Sequence, residues 1–340
     1  MPETASITPL EGVDLLLADL DGVVYTGRNA LPYAVESINL AQQSMRVGYI
    51  TNNASRTADS VAQHLSDLGL TVVGEDVVTS PQAAIVLLEQ LVPPGSTILV
   101  VGGEGLTSVV EAHGFRVTRS AEDAPAAVIQ GFHPSVAWTD LAEAAFALRV
   151  TTPGDPGIPW VATNTDWTIP QERGTAPGNG TLVSAVHTAV GRLPVVAGKP
   201  ERPIFDAAIE RFGASRPLFL GDRLDTDILG ANRAGIASAL VLTGIDGPKQ
   251  VLAADADSRP TFVLGDLREL FEPYTAPIES ADGGDRVFTS GASVVRLSGS
   301  AVRIDDEGTS DIEVLRAGTA AVWGAGVPIY ALDVDPGLYS

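Results

Sequence analysis

The sequence predicts an α/β protein with a mostly parallel sheet, and three observations carry that expectation. Short apolar runs ending in polar or glycine-rich loops alternate with helical patterns along most of the chain. Such alternation marks strand–helix units whose helices cover both faces of a parallel sheet. Of the 340 residues, 45% are hydrophobic and 19% charged, the balance of a chain with a large core. At about 150 residues per domain, the length suggests two domains and leaves room for an appendage.

Several function classes drop out at once. The 42 acidic and 21 basic residues give a formal charge of −21, which repels phosphate backbones and makes nucleic acid and anionic membranes poor partners. There is no cysteine. Disulfides, thiolate zinc sites, iron–sulfur clusters and cysteine nucleophiles are therefore excluded, and a reducing compartment such as the cytoplasm is expected. The opening MPETASITPL has neither a basic start nor an apolar stretch, so no secretory leader is expected. The longest uncharged apolar run, 317–332, has 16 residues and is interrupted by Gly318, Gly324, Gly326 and Pro328. A spanning helix needs about 20 apolar residues, so a buried element is expected there, without membrane insertion.

Taken in order, strands are expected at 13–18, 47–50, 97–101, 126–129, 160–162, 217–220, 238–242 and 261–264. Helices are expected at 60–68, 106–112, 138–148, 181–190 and 203–212. The last of these sets Ile204, Ala207, Ala208 and Arg211 at spacings of three and four behind a first-turn proline. The glycine-rich segment 102–105 lacks the Gly-x-Gly-x-x-Gly spacing of dinucleotide binding and is expected to be a strand-to-helix turn. Beyond Tyr274 the pattern changes. Pro273 and Pro277 bracket a linker, 282–285 looks like a loop, and 293–297 and 301–304 alternate as a hairpin does. A short helical stretch and the apolar run 327–332 follow. This small β-rich tail carries no chemical motif and is expected to pack on its own core or on a second subunit of a homo-oligomer.

Ligands of open parallel sheets bind beyond the carboxyl ends of the strands, and the polar residues collect there. The first strand ends in Asp19-Leu20-Asp21-Gly22, the second in Thr51-Asn52-Asn53, and the 217–220 strand in Gly221-Asp222-Arg223. Gly198-Lys199-Pro200 precedes the helix at 203. Residues two apart in a strand share a side, so Asp19 and Asp21 are expected to converge. Like charges so close need a cation or a shared proton. Asp222 adds a third carboxylate, with Asp225 and Asp227 behind it. Oxygen ligands without histidine or cysteine favour magnesium, and Gly22 permits the turn off the strand. Thr51 and Asn52 offer groups suited to phosphate oxygens. Lys199 supplies a point charge for those oxygens or for the carboxylates. Together they are the kit for phosphoryl transfer through an acyl phosphate. Any one of these segments alone is an ordinary capped turn or loop; their joint placement after strands carries the chemistry. The histidines at 64, 113, 133 and 187 are scattered and read as packing or surface residues.

The segments Asp19-Leu-Asp21-Gly-Val-Val-Tyr25, Thr51-Asn-Asn53, Gly198-Lys199-Pro200 and Gly221-Asp222-Arg-Leu-Asp-Thr-Asp227 resemble the four motifs of haloacid-dehalogenase-superfamily phosphatases. More narrowly they resemble the NagD and p-nitrophenyl-phosphatase branch, which includes phosphoglycolate, pyridoxal phosphate and glycerol 3-phosphate phosphatases. The resemblance covers about residues 10–270. It implies a Rossmann-like core at 1–81 and 194–272, a large inserted α/β cap at 82–193, and a tail at 273–340 with no counterpart in the usual members. Residues 162–166, Pro170 and 177–180 also look like that branch.

On that resemblance Asp19 is the nucleophile and Asp21 the general acid and base. Magnesium is held by Asp19, the Asp21 backbone carbonyl and Asp222. Thr51, Asn52, Asn53 and Lys199 bind the phosphate, and Asp227 orients Lys199 or a metal-bound water. Asp225 is a participant or a solvated turn residue. In a mobile cap, Asn164, Asp166 and the loop at Arg173 are candidates for substrate choice, with structural loop roles as the alternative. The expected substrate is a small phosphorylated metabolite, glycerol 3-phosphate first and 2-phosphoglycolate next. Pyridoxal phosphate, a sugar phosphate or a nucleotide monophosphate are alternatives, followed by a phosphomutase or a phosphate-binding module without catalysis. A signalling receiver is shorter and has no place for an inserted cap. An inactive binding module is expected to lack Asp21, and a dehalogenase needs neither Asp21 nor magnesium.

Overall fold

The computed structural model describes residues 7–150, 154, 156–171 and 173–339. The leader expectation rests on residues 1–10, of which 1–6 lie outside the described residues. Compactness divides the chain into one unit of residues 1–46 and 216–340 and another of residues 47–215. These divisions differ from the motif-based boundaries at 81/82 and 193/194.

The first unit is built on four parallel strands in the order Phe262–Leu264, Ala237–Val241, Pro217–Gly221 and Leu15–Ala18. Leu15 stands opposite Pro217 and Ala18 opposite Leu220. Leu15, Leu16, Leu17 and Ala18 are all buried, as strands covered on both faces require, which is why they read as unbroken apolar runs. Each strand lies within two residues of its sequence expectation. A π-helical turn, Leu224–Ile228, and the helix Leu229–Ala234 follow the strand Pro217–Gly221. The sequence reading misses both, because Asp225, Asp227 and Gly230 look like loop residues.

The tail forms four antiparallel strands, Ile278–Asp282, Asp285–Ser290, Ser293–Ser298 and Ala301–Asp306, and Asp333–Val334 joins the last of them in parallel. Segment 282–285, expected to be a loop, is a two-residue hairpin turn. Gly283 and Gly284 both take positive φ, 59° and 105°, which gives the twist that suits antiparallel neighbours. The helix Asp311–Gly324 then lays Val314, Leu315, Ala317, Ala321 and Val322 into one apolar cluster. That cluster includes Phe288, Val295 and Val302 of the tail sheet and Leu240, Val251, Leu252 and Val263 of the core. Each such side chain contributes about 1.5–3 kcal/mol by leaving water. The tail thus packs on its own core. The run 317–332 is not one buried element: its helix stops at Gly324, Ile329 and Leu332 are partly buried, and Tyr330 is 88% exposed. Among the described residues no helix is long and apolar enough to cross a membrane.

The second unit holds a parallel five-stranded sheet in the order Val195–Val196, Trp160–Ala162, Ala127–Gln130, Thr97–Val101 and Arg116–Thr118. The helices Trp138–Leu148 and Asn179–Val190 bury Ala144, Leu148, Val183 and Val186 against it. Of the expected turn at 102–105, Gly102 and Gly103 make the turn, and Glu104 and Gly105 already open the helix Glu104–Ala112. The same unit contains the parallel pair Arg46–Thr51 and Val77–Thr79 and the helices Ala58–Asp67, Ser80–Leu91 and Arg202–Phe212.

Candidate active site

In the first unit the chemistry starts where the buried strand Leu15–Ala18 stops. The Asp19 N–H donates to the Leu220 carbonyl at 2.9 Å, extending the pairing by one residue. The Leu20 carbonyl then accepts from the N–H groups of Val23, Val24 and Tyr25 and reverses the chain. Gly22 sits at φ +82°, and a Cβ there would lie 2.2 Å from Asp222 Oδ2. Only glycine meets both the conformation and the approach.

Asp19, Asp222 and Asp227 each present a carboxylate oxygen, and these oxygens lie within 4.8 Å of one another. Asp222 is 2% exposed and Asp227 fully buried. Asp21 is exposed and is not one of the three. The strand ends at Ala18, so the two-residue period does not extend to Asp19 and Asp21. The Asp222 and Arg223 N–H groups donate to Asp227 Oδ2 at 3.1 and 3.2 Å, so this oxygen locks its own loop. Asp225 pairs with Arg223 at 2.8 Å on an open surface, as a solvated turn residue does. Burial raises the Asp246 carboxyl above its ordinary range, although the Leu224 N–H donating to it works the other way.

Three carboxylates in so small a volume repel one another unless a cation or protons intervene. The donor set is all hard oxygen, without nitrogen or sulfur, and suits magnesium better than a transition metal. None of the four histidines belongs to it. His113 meets Glu89, His133 meets Ser135, and His187 meets the Arg192 carbonyl.

In the second unit the polar centre is neutral. Thr51 ends its strand buried, and its Oγ1 accepts from the Asn53 N–H at 3.1 Å. Asn53 Oδ1 accepts from the Ser55 N–H and hydroxyl, so this side chain closes the loop. Asn52 donates through Nδ2 to Asp166 Oδ1 at 3.0 Å and to the Lys199 carbonyl at 3.1 Å. Its Oδ1 accepts from the Lys199 N–H at 2.8 Å. The Asn52 side chain is thus committed to Lys199 and Asp166.

Asn164, 4% exposed, donates to the Asn52 carbonyl at 2.7 Å and accepts from the Asp166 N–H at 3.2 Å. Asn179 in turn donates to the Asn164 carbonyl at 2.7 Å. The Ser80 hydroxyl also reaches the Asn52 carbonyl at 2.8 Å. Lys199 is 3% exposed. Arg173 is exposed in the turn of the hairpin Thr168–Gln171 and Gly174–Pro177. Sequence reasoning missed Asn179, Ser80, Thr243 and Asp246. Only the strand-end position of Thr243, just after a buried run, could have signalled any of them.

Comparison with known proteins agrees with this geometry. A family model described as haloacid dehalogenase-like hydrolase matches residues 16–116, and a second, HAD-hydrolase-like, matches 196–270. The chain is 44% identical over 315 residues to the D-glycerol 3-phosphate phosphatase of Mycobacterium tuberculosis, covering 92% of this chain and 86% of that one. A glycerol phosphate phosphatase from Mycobacterium tuberculosis, solved in complex with magnesium, superposes with a TM-score of 0.82 at 42% identity, covering 96% and 95%. The 4-nitrophenylphosphatase of Thermotoga maritima gives a TM-score of 0.70 at 31% identity, covering 78% of this chain and 98% of its own.

Proposed function

The chain belongs to the haloacid dehalogenase-like hydrolases, and from that premise we propose that it is a magnesium-dependent phosphatase whose substrate is glycerol 3-phosphate. The observation that carries the chemistry is the grouping of Asp19 and Asp222, at the ends of adjacent buried strands, with Asp227 of the π-helical turn that follows. The substrate is supported by the 44% identity to a D-glycerol 3-phosphate phosphatase.

In this reading Asp19, Asp222 and Asp227 would hold magnesium, joined by the Asp21 backbone carbonyl. When bound, the ion would offset the charge of nucleophile and phosphate. A carboxylate attacks as the anion and needs no base to activate it, the role given to Asp19. Its oxygen bonds to phosphorus as the bond from phosphorus to the glycerol oxygen breaks, leaving an aspartyl phosphate. Asp21, exposed and outside the carboxylate trio, protonates the leaving alkoxide. It then takes a proton from the water that attacks phosphorus and frees the Asp19 carboxylate.

Lys199, held by Asn52, and the Thr51 hydroxyl with the N–H groups of its loop bind the same phosphate oxygens. Residues 82–193 are assigned as the inserted cap, with Asp166 and the Arg173 turn as the groups that set substrate choice and Asn164 bracing Asp166. A reducing cytoplasm is the setting we propose, since the chain has no cysteine.

The experiment is a screen of phosphate release, with magnesium, across glycerol 3-phosphate, 2-phosphoglycolate, pyridoxal phosphate, sugar phosphates and nucleoside monophosphates. The expected result is the highest kcat/KM for glycerol 3-phosphate. A higher value for another ester displaces that substrate, and no release from any displaces the phosphatase reading.

A further inference from the structure

We propose that residues 243–246 form a positioning loop for the magnesium-binding carboxylates, with Thr243 and Asp246 as its positioning residues. This rests on the reading of Asp19, Asp222 and Asp227 as the ion's ligands. The loop follows the buried strand Ala237–Val241 and belongs to none of the four motifs. Four consecutive residues lie against the acidic site, three of them hydrogen-bonded to it. The Thr243 hydroxyl donates to the Gly22 carbonyl at 2.7 Å, inside the turn that carries Asp19 and Asp21. Gly244 passes so close that a Cβ would stand 2.0 Å from Asp222 Oδ2. The Ile245 N–H donates to that same oxygen at 2.8 Å. The Asp246 N–H donates to the Asp222 carbonyl at 3.1 Å, while its carboxylate accepts from the Leu224 N–H at 2.7 Å.

The Ile245 side chain is 66% exposed, so what this residue supplies to the site is its backbone N–H, aimed by the path of the loop. Thr243 and Asp246 fix that path at either end. A carboxylate held at one oxygen has the direction of its other oxygen set as well. Such outer partners of a metal ligand are worth roughly 10–100-fold in metal affinity. Neither residue touches the phosphate, so both act through Gly22, Asp222 and Leu224.

The test is calorimetric titration of magnesium chloride into the full-length protein, paired with steady-state kinetics on glycerol 3-phosphate. Thr243→Val and Asp246→Ala each remove one tie, whereas Thr243→Ser and Asp246→Asn keep a donor and an acceptor. The expected result is magnesium affinity lower by roughly tenfold in the first pair, with kcat falling and KM changing by less than about threefold, and recovery in the second pair. A merely structural role would lower the melting temperature and leave the affinity of the folded protein unchanged. Magnesium affinities equal to the wild type in folded Thr243→Val and Asp246→Ala overturn the inference alone. Absence of magnesium binding to the wild type overturns the functional reading, and this inference with it. If one member of the first pair does not fold, the other decides.

Discussion

In residues 1–46 and 216–340, three carboxylates are packed within 4.8 Å and held by backbone N–H groups. In residues 47–215, asparagines bond to one another and to the backbone beside a buried lysine. The first cluster is electrostatically incomplete without a cation. The second is tied together by amides, which both donate and accept, although Asn179 Oδ1 is buried without a hydrogen-bond partner. On the proposed reading the difference separates groups that react from groups that brace: the carboxylates would engage a metal and a phosphorus atom, and the amides fix where a lysine stands.

The comparison breaks most easily at the nucleophile. Asp19→Asn keeps the shape and removes the attacking anion, so phosphate release is expected to fall by a factor of about 1,000 or more. Retention of a tenth of the activity removes Asp19 from that role. Asp21→Asn is expected to cost far less with nitrophenyl phosphate, whose leaving group needs no proton, than with glycerol 3-phosphate. An equal loss on both contradicts the general-acid role. Next in size is the metal. Chelation is expected to abolish turnover and added magnesium to restore it. Calcium is expected to inhibit, because its larger and looser coordination shell misplaces the nucleophile.

The neutral cluster is expected to respond more gently. Asn52→Ala unties Lys199 and is expected to lower kcat/KM roughly ten- to a hundredfold through misplacement rather than lost charge. Asn164→Ala leaves the Asn52 carbonyl one donor short and is expected to cost about 1–3 kcal/mol of stability in urea unfolding. A larger loss of activity in Asn164→Ala than in Asn52→Ala would reverse the roles assigned to the two. The smallest effect belongs to Asp225→Asn. Its pairing with Arg223 is exposed at 37% and 66%, so stability is expected to change by less than about 1 kcal/mol, with turnover near wild type.

The acidic half of the site was legible because charge at a strand end is costly and therefore conspicuous. Asp19 and Asp222 stand where the apolar runs stop, with Asp227 in the π-helical turn that follows, and the runs themselves located the strands to within two residues. Asp21 stands past the end of its strand at Ala18, where the period of two no longer fixes its side. The amides were less legible. Nothing local distinguishes an Asn52 that binds a ligand from one that braces Lys199 across 147 residues of sequence. Thr243 and Asp246 were invisible for the same reason, as their partners Gly22 and Leu224 are distant in sequence. In the tail, the Gly283–Gly284 pair reads as a loop or a hairpin turn until its flanking strands are seen to pair. Packing of the helix Asp311–Gly324 on Val251 and Val263 is likewise a long-range fact. The Thermotoga phosphatase spans 98% of its own length in matching only 78% of this chain, which leaves the tail as the least transferable part of the architecture.

The central claim is that Asp19 carries the phosphoryl group between substrate and water. Acid quenching of the full-length enzyme during turnover of glycerol 3-phosphate with magnesium, followed by peptide mass spectrometry, tests it most directly. The account predicts one added phosphoryl group, labile to hydroxylamine as an acyl phosphate is, on the peptide that contains Asp19, and none in Asp19→Asn. A phosphoryl group trapped on another side chain, or steady turnover by Asp19→Asn, would contradict it.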